Sequence, residues 1–449
     1  ISFKPPPSNR RGVKKRKIMK KRTILLILLV ISTSFAWQRS WDLGSYISYN
    51  DFIELSDGSL ILVGRVIKAY LSPQFTVIRF NGDGDTLWVN YYGDVEDDNR
   101  GLAGLQISDT SFIVTGRHSD LHTMMECLDF NGESLWGRID EPLADSIGGY
   151  GLNLELDRDG SIVSNSGGEF KGFNLDGDVI WARRFERSTG FSGWLDMNTV
   201  KIPPYGYVIC GRYYSREEDE HWGMIAFYDT LGDTNWVKTF DYSYWTILFD
   251  IEVIDNPAPG YPPGFIAVGE LHSDGGTMIS PALIVRTDLD GNVLWVNRFE
   301  HPMMDPVTGG GVDAADVVWA GNEPYQTRFA VVGDMRRNAD YDSTRVWLTL
   351  VCDTLDGDTL WTQTFEDYPE TRGGLLVKCM NGDYMIVGSL TSGPGSRYWL
   401  CRVDSLGNDV PYAIEEPHVP ATTLPEQLEV VVYPNPFNST VEISITVPD

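Results

Sequence analysis

What the sequence has little of narrows the field first. Its 449 residues include only five cysteines and six histidines. Cys127, Cys210, Cys352, Cys379 and Cys401 form no CxxC pair and no zinc-type spacing, so neither a disulfide-stapled scaffold nor a structural zinc module is indicated. One bridge, Cys379 with Cys401 in neighbouring expected strands, stays open; buried thiols are the simpler reading. Helical periodicity is almost absent. No GxSxG, HExxH or phosphate-loop signature occurs, which removes the motif-based grounds for a serine hydrolase, a zinc protease or a nucleotide enzyme. His118-Ser-Asp120-Leu-His122 is the one local His/Asp group, and on a loop after a strand no helix aligns its imidazoles for a metal. Basic residues are scarce as well, with 36 Lys/Arg against 63 Asp/Glu and a net charge of −27. Ten of those bases lie in the first 36 residues, which hold no acid. The rest is a polyanion that phosphates would repel, so nucleic acid is excluded as a partner.

The basic end has its own logic. Residues 1–18 read as an artefact of the assigned start. Met19 opens a segment of Lys20-Lys21-Arg22, the apolar run Ile24–Ile31 and Ser34-Phe35-Ala36. This is the pattern of a secretory signal peptide over 19–36, with small residues flanking a cut after Ala36. The competing reading, a membrane anchor, meets an apolar core well short of the ~20 residues a span needs. The mature chain is therefore expected to carry no transmembrane segment.

What is abundant is glycine, with 45 residues, and aromatics, with 14 Trp, 21 Tyr and 19 Phe, among many Val/Ile-rich runs of strand length. These suit short strands joined by glycine turns. The aromatics repeat. NGDGDTLWVNYY at Asn81–Tyr92 returns at Leu175–Phe185, Leu231–Phe240, Leu289–Phe299 and Leu355–Phe365, and more loosely at Asn131–Ile139. The tryptophans Trp37, Trp88, Trp136, Trp181, Trp236, Trp295 and Trp361 stand 45 to 66 residues apart, and six of the seven have an aromatic four residues on. In a strand those two positions face the same way, so each unit offers two rings to one packing surface. Upstream of each Trp lies an apolar strand ending in Gly: Leu60–Arg65, Phe112–Arg117, Tyr207–Arg212, Phe265–Glu270, Phe329–Asp334 and Tyr384–Ser389, with a degenerate copy at Ser161–Gly168. With one strand before it and one between it and the Trp, the unit holds four strands, the content of a propeller blade. The recurrent Gly suits close backbone approach near a central axis, or else a bulge or turn.

The ends suggest how such a ring closes. The last unit has three strands, with Pro411 where Trp is due, while Trp37 to Trp41 stand at the mature N-terminus with no strands of their own before them. Residues 37–43 are thus expected to supply the missing fourth strand. The fold class is all-β: a seven-bladed β-propeller over 37–412 closed by the N-terminal strand, a Pro-rich linker over 413–428, and the start of a small C-terminal β-sandwich over 429–449, which looks truncated.

Two resemblances add to this. The motif Tyr433-Pro434-Asn435-Pro436-Phe437-Asn438 followed by VEISITVP resembles the start of the type A sorting domain of type IX secretion cargo. That likeness implies a small β-sandwich, export by the outer-membrane type IX machinery, and a secreted or outer-surface location on a Gram-negative-type bacterium. The repeats resemble the D-x-x-G-x-x-x-W units of PQQ-like bacterial propellers, in which the Trp packs between blades. Quinoprotein enzymes of that family carry an adjacent cysteine pair and calcium ligands; no two cysteines are adjacent here.

Candidate sites follow from the repeat. Turns such as Asp83-Gly84-Asp85, Asp176-Gly177-Asp178, Asp288-Leu-Asp290-Gly291 and Asp356-Gly357-Asp358 look like calcium loops but lack the bidentate Glu that completes one. Asp-Gly is also the usual type I′ hairpin turn. Calcium is therefore a weak expectation, and no other cofactor or metal is called. The residue after each strand-ending Gly is Arg65, Arg117, Gly168, Arg212, Glu270, Asp334 and Ser389. At one radius of a propeller these gather three arginines on one side and two acids on the other. Such arginines suit an anionic or carboxylate-bearing ligand, glycan or protein; the plainer reading is loop charge that is solvated or paired with neighbouring acids. The function expected is an exported, surface-associated, non-catalytic binding or scaffold module, with a secreted polysaccharide-active hydrolase or lyase as the alternative.

Overall fold

In the computed structural model the described residues are 38–41, most of 46–408, and two short pieces at 432–434 and 441–443. Residues 1–34 form one unit by contacts and 35–449 the other. The signal segment, Trp37, Gly168, Asp120, the linker and Asn435–Phe437 lie outside the described residues. So does any test of the first unit.

The second unit is antiparallel β-structure laid down four strands at a time. Strand β1 (Gln38–Trp41) comes first. Sheet I follows with β2 (Tyr46–Glu54), β3 (Leu60–Ile67), β4 (Gln74–Phe80) and β5 (Thr86–Tyr92). Sheet II has β6 (Arg100–Gln106), β7 (Ser111–His118), β8 (His122–Asp129) and β9 (Ser134–Asp140). Sheet III has β10 (Asn153–Leu156), β11 (Ile162–Ser166), β12 (Glu169–Phe173) and β13 (Val179–Arg184). Sheet IV has β14 (Leu195–Lys201), β15 (Tyr207–Ser215), β16 (Glu220–Tyr228) and β17 (Thr234–Phe240). Sheet V has β18 (Trp245–Ile254), β19 (Gly264–His272), the short β20 (Ile279–Ser280), β21 (Ala282–Asp288) and β22 (Val293–Phe299). Sheet VI has β23 (Gly310–Trp319), β24 (Arg328–Arg336), β25 (Thr344–Cys352) and β26 (Asp358–Phe365). The last group, β27 (Thr371–Lys378), β28 (Tyr384–Leu390) and β29 (Arg397–Val403), is completed by β1, whose Gln38 and Trp41 lie opposite Cys401 and Tyr398. At the end of the chain, β30 (Val432–Pro434) pairs with β31 (Val441–Ile443).

First strands pack on first strands: β2 on β6, β6 on β10, β10 on β14, β14 on β18, β18 on β23, β23 on β27, and β27 back on β2. The cores lie between sheets. One joins Phe52, Leu62 and Phe80 of sheet I to Met385, Tyr398 and Leu400 of the seventh, although the two groups are more than 300 residues apart in sequence. Strands such as β4 are buried along their whole length because both faces meet a neighbouring sheet.

The recurrent strand-ending glycine has a local cause. In six sheets the first strand carries a β-bulge, and the residue just before the bulge lies opposite that glycine: Tyr49 with Gly64, Gly101 with Gly116, Met197 with Gly211, Leu248 with Gly269, Ala314 with Gly333, Gly373 with Gly388. A Cβ on Gly333 would lie 1.7 Å from the Asp313 carbonyl oxygen, and one on Gly269 1.8 Å from that of Ile247. The close approach therefore comes from the partner strand of the same sheet, folded over by its bulge, which corrects the expectation of crowding at an axis. Sheet III, where the sequence copy is degenerate, pairs β10 with β11 without a bulge.

The turn before Trp88 also differs from expectation. Gly84 is the one residue of its turn with positive φ, 77°, and its N–H donates to Asn81 O, so this is a type I turn closed by a left-handed glycine rather than type I′. The side chain of Asn81 accepts the N–H groups of Asp83 and Asp85; Asp129, Asn174, Asp288 and Asp404 do the same in their turns. Four turn glycines seat on the Trp of the preceding sheet. A Cβ on Gly177 would lie 2.5 Å from Trp136, on Gly291 2.8 Å from Trp236, on Gly357 2.4 Å from Trp295, and on Gly407 2.7 Å from Trp361. Trp88 Nε1 donates to Phe130 O at 3.1 Å and Tyr92 Oη to Gly132 O at 2.9 Å, so both rings of the four-residue pair reach the next sheet.

Candidate functional site at the bulged ends of the sheets

Two sets of side chains converge on the inner strands, and they do different work. Below the bulges a cavity of about 750 Å³ is lined by β2, β6, β10, β18, β23 and β27. The bulged residues Asn50, Leu102, Phe249, Ala315 and Gly374 all line it. Its aspartates are tied up: Asp51 Oδ2 accepts Gly104 N–H at 2.7 Å, Asp250 Oδ2 accepts Val317 N–H at 2.9 Å, and Asp316 Oδ2 accepts Leu376 N–H at 2.7 Å. Each thus clasps its sheet to the next by satisfying a main-chain donor on that sheet's first strand. These clasps were missed from the sequence, although the signal was present as Asp-apolar runs at Asp51-Phe52, Asp250-Ile251 and Asp316-Val317.

At the bulged end the strand register brings unlike neighbours together. The residue after each glycine lies opposite a first-strand residue: Arg65 opposite Ser48, Arg117 opposite Arg100, Arg212 opposite Asp196, Glu270 opposite Ile247, and Asp334 opposite Asp313. Two of these pairs put like charges face to face, an arrangement that costs stability unless something nearby compensates. Arg100 is compensated by Asp98, at 2.8 Å. Its hydrogen bond from Arg100, with the added charges of Arg117 and Arg65, holds the Asp98 carboxyl below the usual carboxylate range. Arg65 donates from Nε to Ser48 Oγ at 3.0 Å, while Arg117 Nε is buried with no hydrogen-bond partner among the described residues. His118 sits in the same group, its Nδ1 2.8 Å from Asn99 Oδ1 and its Nε2 3.6 Å from Asp97. Its cross-strand neighbour is His122.

The acidic pair is different. Asp313 Oδ2 takes a hydrogen bond from Arg336 at 3.1 Å, and its buried Oδ1 has no donor. Burial, then the nearby Glu270 and Asp334 carboxylates, push the Asp313 carboxyl from 3.8 up to about 9. Burial works to raise Glu270 too, but hydrogen bonds from His272, 2.9 Å away, and from Asp313 hold it low. Asp313 therefore carries the proton that two facing carboxylates must share. A carboxyl whose folded value is raised contributes stability that is full below its unfolded value and is lost as pH rises through the folded one. Stability of the wild type is expected to fall between about pH 4 and pH 9 by more than that of Asp313→Asn, as read from urea midpoints across that range; identical slopes would mean the two carboxylates do not share a proton.

The structure thus groups Arg65 and Arg117 with Arg100 about Asp98, and Glu270 and Asp334 with Asp313 about Arg336. Arg212 joins neither group among the contacts described. The five cysteines are buried free thiols, so Cys379 and Cys401 are not bridged. Among the described residues no three His, Cys, Asp or Glu side chains are grouped so as to hold a metal, and no helix is long and apolar enough to cross a membrane.

No family model and no curated protein sequence matches the chain. Among solved structures it is similar to the Neurospora crassa Pan2 WD40 domain, at 13% identity and TM-score 0.48 over 80% of this chain and 88% of that one. It is also similar to a Bacteroides caccae protein of unknown function, at 10% identity and TM-score 0.39 over 58% and 84% of the two chains. A eukaryotic initiation factor aligns at 9% identity and TM-score 0.34, over 77% and 82%. The fold is β-propeller-like on its own strand order: four-stranded antiparallel units whose first strands pack in sequence.

Proposed function

We propose that residues 37–412 form a closed seven-bladed propeller that binds an anionic or carboxylate-bearing ligand, glycan or protein, at the bulged ends of its sheets. The pairing of β1 with β29 and the shared core of the first and last sheets support the closure. The observation that carries the binding reading is the face-to-face pair Arg100 and Arg117. Like charges placed opposite each other weaken a sheet, and they recur where a surface is shaped for a ligand rather than for stability. An incoming carboxylate would take the place of Asp98 on Arg100, beside the charge of Arg117. The module is exported and surface-associated, carried out by the type IX machinery through the Tyr433–Phe437 motif; the signal-like segment at 19–36 and that motif support this. No catalytic role is assigned.

The test is a screen of the full chain against glycans and peptides, with and without calcium. Arg100→Ala/Arg117→Ala is expected to lower affinity for acidic members at least tenfold and leave neutral ones unchanged; equal binding of acidic members by the double variant would refute the reading. A polysaccharide hydrolase is favoured by one observation, the proton-sharing Glu270 and Asp313, and release of reducing ends from a polysaccharide would establish it.

A further inference from the structure

The repeat departs from its pattern where sheets IV, V and VI meet at their bulged ends. There the sheets are stitched by two parallel bridges, His221 with Trp245 across IV and V, and β20 with Gly310 and Gly311 across V and VI. Between the stitches the register places Trp245 opposite His272 and Ile247 opposite Glu270. With the side-chain period of two, Trp245, Ile247, His272 and Glu270 share one face of sheet V. Beyond them stand Asp313 and Arg336 of sheet VI.

The aromatic part is open and rigidly held. Tyr244 and Trp245 are 38% and 37% exposed, large values for adjacent rings that could have packed inward. Their rings are offset and nearly parallel, with centroids 5.9 Å apart and planes at 14°. The His221 ring, 4.9 Å from the indole, and the His272 ring, 5.7 Å away, flank it at steep angles. The loop beneath is pinned by His221 N–H to Tyr244 O, Tyr242 N–H to Thr246 Oγ1 and Ser243 Oγ to His272 O. A preorganised apolar platform of this kind loses little entropy when a ligand settles on it.

The polar part is graded in hydrogen-bonding character. Glu270 is ionised and accepts only, Arg336 donates only, and the Asp313 carboxyl, which keeps its proton at neutral pH, does both. His272 Nε2 bridges the two parts by its contact with Glu270. The His272, Asp313 and Arg336 side chains keep 31%, 21% and 22% of their surface open.

We infer that this junction binds a neutral saccharide, one pyranose ring lying on Trp245 and Tyr244 with its hydroxyls on His272, Asp313 and Arg336. The inference rests on the proposed binding role and names a second ligand class for the same end of the sheets. A flat stepped platform suits the C–H face of a sugar ring, whereas a quaternary ammonium needs rings that box it in. Glu270 and Asp334 against one Arg336 leave the junction slightly negative, which disfavours uronic or sulfated sugars. The mixed donors and acceptors match the hydroxyl, which is both.

The full chain would be titrated with cellohexaose, xylohexaose, mannohexaose and chitohexaose, with hexagalacturonate and choline as contrasts, reading tryptophan fluorescence and calorimetry. At least one neutral hexasaccharide is expected to bind. Trp245→Ala and, as a variant at an exposed ring, Tyr244→Ala should each weaken that binding at least tenfold. Absence of binding by all four neutral probes, affinity unchanged in both aromatic variants, or a response to choline alone would overturn the inference. The arginine-pair reading would survive any of these, because it is judged on acidic ligands.

Discussion

Asp353→Ala is expected to cost about 3–5 kcal/mol of folding stability, the range for stranding a buried charge by removing its partner. Arg286 is fully buried in sheet V, and its Nε donates to Asp353 Oδ1 at 3.0 Å across the junction with sheet VI. The same oxygen accepts from Trp295 Nε1 at 2.9 Å. One carboxylate oxygen therefore holds both a guanidinium and the repeat tryptophan, and burial already drives the Arg286 pKa down against the pull of Asp353. Removing the carboxylate leaves two buried donors without an acceptor. Asp353→Asn keeps an acceptor and should cost less. The double variant Arg286→Met/Asp353→Leu should recover most of the loss, since a buried ion pair is often replaceable by apolar side chains. Urea unfolding measures all three; a single-variant loss under about 1 kcal/mol would show that the pair contributes little.

Arg286 and Arg79 lie opposite the repeat tryptophans Trp295 and Trp88, and with Arg402 they are third-strand arginines that reach a neighbouring sheet. Arg79 hydrogen-bonds to Phe130 O in the turn of sheet II. Arg402 bonds to Gly82 O at 2.9 Å and to Asp383 at 2.8 Å, reaching the turn of sheet I from the last sheet. None of these was picked out in the sequence. The reason is physical: Cys127, Gly172, Phe227 and Leu350 fill the same register position elsewhere. A position that alternates between arginine and small or apolar residues has no motif, and its role shows only when the next sheet is in place.

What was legible is the part that repeats. Trp and its aromatic four residues on must face one way in a strand, and Trp88 with Tyr92 does. The four-strand unit followed from spacing, and the glycine recurs because a bulge forces it, the second of the two causes that the sequence left open. Less legible was the candidate site. Arg65, Arg117, Glu270 and Asp334 were singled out by position within the repeat, but Arg100 and Asp313 beside them lie on first strands, where the one-residue bulge shifts the alternation that sequence reading relies on. Trp245 and Tyr244 were invisible for a related reason: they belong to a junction that departs from the repeat.

Deleting residues 37–44 should lower the stability of the whole second unit rather than fray one end. Strand β1 pairs along its four residues with β29, and at roughly 0.5–1.5 kcal/mol per hydrogen bond the lost ladder alone amounts to a few kcal/mol. The consequence spreads because β29 serves two cores. Tyr398 and Leu400 point into the core shared with sheet I, while Trp399, Cys401 and Val403 point into the core shared with sheet VI. An unpaired β29 would loosen both, and with them the crossing contacts of Met380 N–H to Glu54 Oε2 and of Arg402 to Gly82 O. The new edge would also invite pairing between molecules. The expected result is one cooperative thermal transition at clearly lower temperature, with increased aggregation. A transition unchanged within about 1 °C, for a domain in which 1 kcal/mol moves the midpoint by roughly 2–4 °C, would mean that the N-terminal strand is an appendage and not the piece that joins the last sheet to the first.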